Sequence, residues 1–90
     1  MEKAVLTVIG SDKVGIIAAV SKIFAESNVN ILDLSQTIMQ NIFTMIMLVD
    51  VAHSAVPFDK LAEEMKQLGK SMNLTIQLQH ESIFDSMHQI

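Results

Sequence analysis

This chain of 90 residues has no cysteine, no arginine, no tryptophan and no tyrosine, and it has a single proline. Without cysteine there is no disulfide framework, no thiol nucleophile and no zinc–thiolate site. Without arginine the bidentate clamp that proteins use for phosphate and carboxylate is missing, so a bound anion must rely on backbone N–H groups or lysine. Ten acids oppose six lysines, for a net charge of −4, which disfavours nucleic acid as a partner because its backbone is gripped by clustered cations. No apolar run approaches the roughly 20 residues of a membrane span; the longest, Gly15 to Val20 and Met45 to Val49, are far shorter. The N-terminus lacks the basic start and cleavage site of a signal peptide. The expectation is a soluble, cytoplasmic protein without membrane contact.

Half of the residues are apolar, and their spacing carries the fold. Lys3 to Ile9 (KAVLTVI) is rich in β-branched and aliphatic residues and stops at Gly10, as a strand would. Val14 to Ser27 sets Ile16, Ile17, Val20, Ile23 and Phe24 on one helical stripe, with Asp12 as the expected N-cap. Asn30 to Gln40 alternates Leu32, Leu34 and Ile38 with Asp33, Ser35 and Thr37. A tight turn at Gln40-Asn41 leads to Ile42–Val51, apolar on both parities and therefore expected to be buried on both faces. Pro57 opens a second helix through Phe58, Leu61, Met65 and Leu68 that is expected to end near Gly69. Leu74, Ile76 and Leu78 mark a fourth strand. Ser82 to Ile90 places Ile83, Phe84, Met87 and Ile90 on one side of a short amphipathic tail.

The order predicts an α+β fold, a ferredoxin-like βαββαβ sandwich. Its four-stranded antiparallel sheet carries two helices on one face and a short C-terminal helix. Residues 1–80 form the domain and 81–90 the tail. A core of this size is thin, and the doubly apolar third strand together with the amphipathic tail predicts a homodimer.

That architecture hosts many activities, so the residues must decide. Gly10 and Gly15 have the glycine spacing of a nucleotide-binding P-loop, but Ile16 and Ile17 stand where its lysine and hydroxyl belong. Single-stranded RNA readers stack bases on sheet aromatics; here only Phe43 falls on a strand. Copper transfer needs a Cys-x-x-Cys turn, and acylphosphatases of similar size need an arginine. Neither residue type is present. His53, His80 and His88 share no metal-ligand spacing, and Ser11 and Ser35 have no histidine beside them to act as base. The seven methionines suit gap-filling in a core. No cofactor, metal or catalytic residue is predicted, and the protein is expected not to be an enzyme.

Asp12, Gly15 and Asn30 remain. Each has a structural explanation: a helix cap, a close helix–strand approach, and a left-handed turn residue matched by Asn73 at the second helix exit. Gly15 alone has no counterpart in the second half. A glycine in the first helical turn bares N–H groups at the positive end of the helix, where a small carboxylate would sit.

Around these residues the chain resembles the ACT domain family, the small ligand-sensing modules of amino-acid metabolism. The pattern D-x-x-G-I-[IV]-A-x-[VI]-[SA] is met by Asp12 to Ser21, followed by the exit Asn28-Val29-Asn30-Ile31. Asp33 to Thr37 and Phe43-Thr44-Met45 are similar to free-standing single-domain bacterial members related to the ACT domains of glycine-cleavage regulators and formyltetrahydrofolate deformylases. The resemblance spans residues 3 to 80. It implies that backbone at Val14, Gly15 and Ile16 receives an amino acid, that Asp12 meets its amine, and that Asn30 adds polar contacts from a neighbouring subunit. It implies a non-enzymatic sensor acting as a homodimer, or a ligand-free dimerisation module that binds a protein partner. Where the family commonly has proline before the glycine, this chain has Val14.

Overall fold

The computed structural model of the chain describes residues 1–11 and 14–87. Its elements run β1 (Lys3–Gly10), α1 (Ile16–Glu26), β2 (Asn30–Met39), β3 (Ile42–Asp50), α2 (Phe58–Met72), β4 (Thr75–His80) and α3 (Glu81–Met87). All strand pairs are antiparallel, in the order β2-β3-β1-β4, with α1 and α2 on one face. This is the ferredoxin-like sandwich that the apolar spacing predicts, closed by the short terminal helix.

The core lies between that face and the two helices. Ala4, Leu6 and Val8 of β1 meet Phe43, Met45, Met47 and Val49 of β3, Ile76 and Leu78 of β4, Ile16, Val20 and Phe24 of α1, and Leu61 and Met65 of α2. Alternation on β1, β3 and β4 sends every second side chain there, which is the period of two that β pleating imposes.

Four expectations need correction. β3 is buried on one parity only: Phe43, Met45, Met47 and Val49 are covered by the helices, whereas Ile42 and Ile46 are exposed on the other side. Ile17 does not join the helical stripe. With α1 starting at Ile16, the positions Ile16, Val20 and Phe24 turn inward and Ile17 is rotated about 100° away. On β2 the alternation is broken by a bulge between Ile31 and Asp33, opposite Val49 and Leu48, so Leu32 falls out of register. Finally, α2 does not end at Gly69 but continues to Met72, with Asn73 as its left-handed C-cap.

Gly69 has another task. A Cβ there would lie 2.7 Å from the Leu74 carbonyl oxygen and 3.1 Å from the Ile76 amide nitrogen. The last turn of α2 can therefore approach β4 only without a side chain. Gly10 serves the same neighbour from the other side, since a Cβ on it would overlap the Leu74 side chain. Two of the three glycines thus make room for one leucine that plugs the joint between β1, α2 and β4.

Both helix exits use a left-handed asparagine, Asn28 at φ 59° and Asn73 at φ 60°. Asn30, expected in that role, instead begins β2 opposite Asp50. Asn28 also donates from Nδ2 to the His53 carbonyl at 3.0 Å, and the Ala55 amide donates to the Ser27 carbonyl at 2.8 Å. These bonds tie the β3–α2 connection to the end of α1.

At the end of β3, the Asp50 carboxylate accepts from the amides of Glu2 at 3.1 Å and Ala52 at 3.0 Å. The Ala52 and then the Glu2 hydrogen bonds favour the ionised form and hold its pKa below the ordinary aspartate value. A depressed folded-state pKa gives stability that is present above the unfolded pKa and is lost as pH falls through the folded one. Asp50→Asn is therefore expected to melt lower than the native protein at pH 6, and the gap should narrow below the usual aspartate range. Thermal melts of both proteins from pH 6 to pH 2.5 check this; a constant gap would refute it.

Candidate functional site

Gly15 is the N-cap of α1 and sits in the left-handed region, φ 78° and ψ −4°. The space a Cβ would occupy is open, with nothing within 4 Å. The glycine is thus required by its backbone conformation and not by packing, contrary to the close-approach explanation. It also displaces the expected cap. The N-cap position belongs to Gly15, three residues after Asp12, because α1 begins at Ile16. Asp12 itself lies outside the described residues.

The consequences at the helix start are specific. The Gly15 carbonyl accepts the first intrahelical bond from Ala19 at 3.0 Å. Having no side chain, Gly15 makes no cap to the first-turn N–H groups, and that turn contains no acid. By contrast α2 begins after Pro57 and carries Asp59 in its first turn. Ile16 is fully buried and anchors the turn in the core, while Val14 is exposed. Val14 and Gly15 thus form an exposed turn whose base is pinned by the buried Ile16.

Asn30 is exposed and stands at the other end of α1. Eleven residues of helix at about 1.5 Å each separate the two ends by roughly 16 Å. Within one chain the structure does not bring Asn30 to Gly15. Three surface hollows among the described residues lie elsewhere. One of about 550 Å³ runs between the helices, from Ile23 to Lys60, Glu64, Leu68 and Ser71. Two of about 340 and 210 Å³ lie between α2 and the outer edge of β4.

The remaining chemistry-bearing residues are dispersed. Among the described residues no three of His, Asp and Glu gather as a metal site. His80, read as a solvated surface residue, is half-buried: its ring stacks on Phe58 with centroids 3.8 Å apart, and its Nδ1 is 3.5 Å from a Glu2 carboxylate oxygen. His88 lies outside the described residues. No described helix is long and apolar enough to cross a membrane.

Comparison with known proteins agrees with this geometry. The sequence profile of the ACT domain matches residues 2–79. A UPF0237 protein of Clostridium acetobutylicum is 57% identical over 88 residues, covering 98% of this chain and 99% of the relative. Among solved structures, an ACT domain protein from Streptococcus pneumoniae superimposes with a TM-score of 0.79 at 40% identity, over 92% of this chain and 93% of that one. A formyltetrahydrofolate deformylase from Pseudomonas syringae shares the fold, with a TM-score of 0.78 at 21% identity. This chain matches only 28% of its length.

Proposed function

The chain belongs to the ACT domain family, a family of regulatory ligand-binding modules, and from that premise we propose that it is a non-enzymatic sensor of a small amino acid acting as a homodimer. The observation that carries the reading is Gly15: a left-handed, side-chain-free N-cap with open space above it. Backbone amides there would receive the ligand carboxylate, and Asp12 would receive its ammonium group.

The sheet supports a role for the partner's Asn30. β2 is an edge strand, exposed along nearly its whole length, with Ile31, Leu32, Ile38 and Met39 bare. Its start, Asn30, lies at the Lys3 end of the sheet, and its end lies beside Gly10, since Ile38 faces Phe43 and Phe43 faces Gly10. Antiparallel pairing of two such edges would bring the Gly15 end of each α1 towards the partner's Asn30. A ligand bridging both chains would favour one dimer arrangement and so change affinity for a protein partner.

The second reading, a ligand-free dimerisation module, is favoured by the exposed β2 edge strand, which offers a pairing surface whether or not a ligand is bound. A thermal-shift screen against the amino acids separates the two. A ligand at one hundred times its Kd adds about 2.7 kcal/mol to folding. Gly15→Asn is the matched variant, because asparagine tolerates the left-handed conformation while filling the open space. It should melt close to the native protein and lose the shift. A retained shift would move the ligand away from Gly15; no shift with any amino acid at millimolar concentration would favour the module.

A further inference from the structure

β4 forms the edge of the sheet opposite to β2, and it pairs with β1 alone. Its register is regular, from Ile9 opposite Thr75 to Ala4 opposite His80. Thr75-Ile76-Gln77-Leu78-Gln79 contains no charge and no proline. The strand thus has no bulge, charge or proline of the kind that closes an edge to further pairing. In an antiparallel pair alternate residues turn their N–H and C=O groups away from the partner strand. Among the described residues, Thr75 to Leu78 make no backbone bond beyond the β1 ladder. The outer row is open.

The helix α2 turns this edge into a groove. The hollows of about 340 and 210 Å³ lie end to end along it, sharing Lys66, Ile76 and Gln77. Leu74 adds an apolar wall to the larger, and Ala62 and Leu78 do so for the smaller. Charge is sorted along the groove. Lys70 stands with Thr75 at one end, Asp59 and Glu63 stand with Leu78 at the other, and Lys66 lies between. Among the described residues neither lysine is in an ion pair, and Glu63 accepts only from Gln67 Nε2, at 2.9 Å. The same order suits the dipole of α2, so the helix is stabilised while the groove acquires a direction.

We propose that this groove binds an extended segment of a partner protein, which adds to β4 as a further antiparallel strand. Main-chain bonds to the open row would supply affinity, and the two hollows would take side chains two residues apart, roughly 7 Å along the strand. Antiparallel addition, the more stable pairing per residue, runs the segment from the Leu78 end to the Thr75 end. The complementary sequence therefore begins with a basic residue and ends with an acidic one. Between them a small and then a larger apolar residue occupy alternate positions. Its base meets Asp59 and Glu63, and its acid meets Lys66 and Lys70. Exposed pairs of this kind set orientation and choice of partner more than affinity. A second copy of β4 is a poor occupant. The side chains it would aim at the hollows, Ile76 and Leu78, are 5% and 6% exposed and committed to its own core.

The probe is the acetylated, amidated peptide Lys-Thr-Val-Thr-Leu-Thr-Glu, titrated into isotope-labelled protein to about 2 mM, which reads a millimolar Kd by NMR. Saturable amide shifts are expected at residues 75–78 and along the α2 side of the groove. N-methylation of the valine or of the threonine after it, one of the two, should abolish binding, because only alternate amides enter the ladder. The swapped peptide Glu-Thr-Val-Thr-Leu-Thr-Lys should bind about fivefold more weakly, and Lys66→Glu with Lys70→Glu should weaken the first peptide by about as much. Both lysines are exposed, so circular dichroism of that variant should stay native. No saturable shift on β4, or shifts confined to the β2 edge, would overturn the groove. Equal binding of the two peptides would overturn the direction. A native oligomer that Lys66→Glu with Lys70→Glu dissociates in sedimentation velocity would give the edge to a second copy and overturn the partner. The groove shares no residue with the Gly15 turn, so these outcomes are independent of the amino-acid screen.

Discussion

Phe24→Ala is expected to remove about 3–5 kcal/mol of folding stability, the largest effect of any single truncation in this chain. Phe24 is among the largest side chains that the fold buries completely. It sits where α1 meets the sheet, and its carbonyl accepts the Val29 amide at 2.9 Å as the chain leaves the helix. Domains are stable by only about 0.05–0.15 kcal/mol per residue, so 90 residues supply roughly 5–13 kcal/mol in all. Losing the ring would consume a large part of that margin. The cavity it leaves lies under the helix whose two ends carry Gly15 and Asn30, so a loosened α1 should also weaken any ligand response. Urea denaturation of the native and variant proteins reads the loss directly. A change below about 1.5 kcal/mol would mean that Met45, Met47 and Met65 collapse into the space, as flexible thioethers can.

Gly69→Ala is expected to lower stability by about 2 kcal/mol, although alanine is the better helix former by about 1 kcal/mol. The two effects oppose each other and the close approach decides the sign. The groups that a Cβ would meet, the Leu74 carbonyl oxygen at 2.7 Å and the Ile76 amide nitrogen at 3.1 Å, are backbone. They cannot swing aside as a side-chain tip would. The Leu74 amide is moreover bound to the Gly69 carbonyl at 2.7 Å, which locks the distance. In a domain of this size the loss corresponds to a fall in Tm of roughly 8–16 °C. Gly10→Ala provides the contrast. Its obstacle is the Leu74 side chain, which can rotate, so its cost should be smaller and largely absent in a Leu74→Ala background. A Gly69→Ala protein that melts at or above the native temperature would show that the joint between α2 and β4 is looser than these distances state.

The same three glycines show how far local sequence could be read. Gly10 and Gly15 look alike in "GSDKVGII", spaced as in a phosphate loop, yet one clears room for Leu74 and the other supplies a left-handed N-cap. Gly69 looked like a helix stop and is a packing contact inside the last turn of α2. The distinction depends on Leu74, five residues after one glycine and 64 after another, and no local pattern contains that distance. Asn30 departs from its expected role for a similar reason. Two asparagines flank Val29 at the exit of α1, and the helix ends so that Asn28 takes the left-handed position and Asn30 enters the strand.

The sequence by itself determined the element order, the antiparallel sandwich and the family, because these rest on short-range periodicities: two for strands, 3.6 for helices, and a motif confined to one turn and one helix. It also determined what chemistry is missing, since absent residue types cannot be restored by folding. Only the tertiary structure decided which parity of β3 is covered and which lies bare. Both parities are apolar, and the choice follows from the side of the sheet on which α1 and α2 pack. It likewise separated Gly15 from Asn30 by the length of a helix, and it set Gly10 and Gly69 against the same Leu74. Those are relations between residues distant in sequence, created when the chain closes on its core.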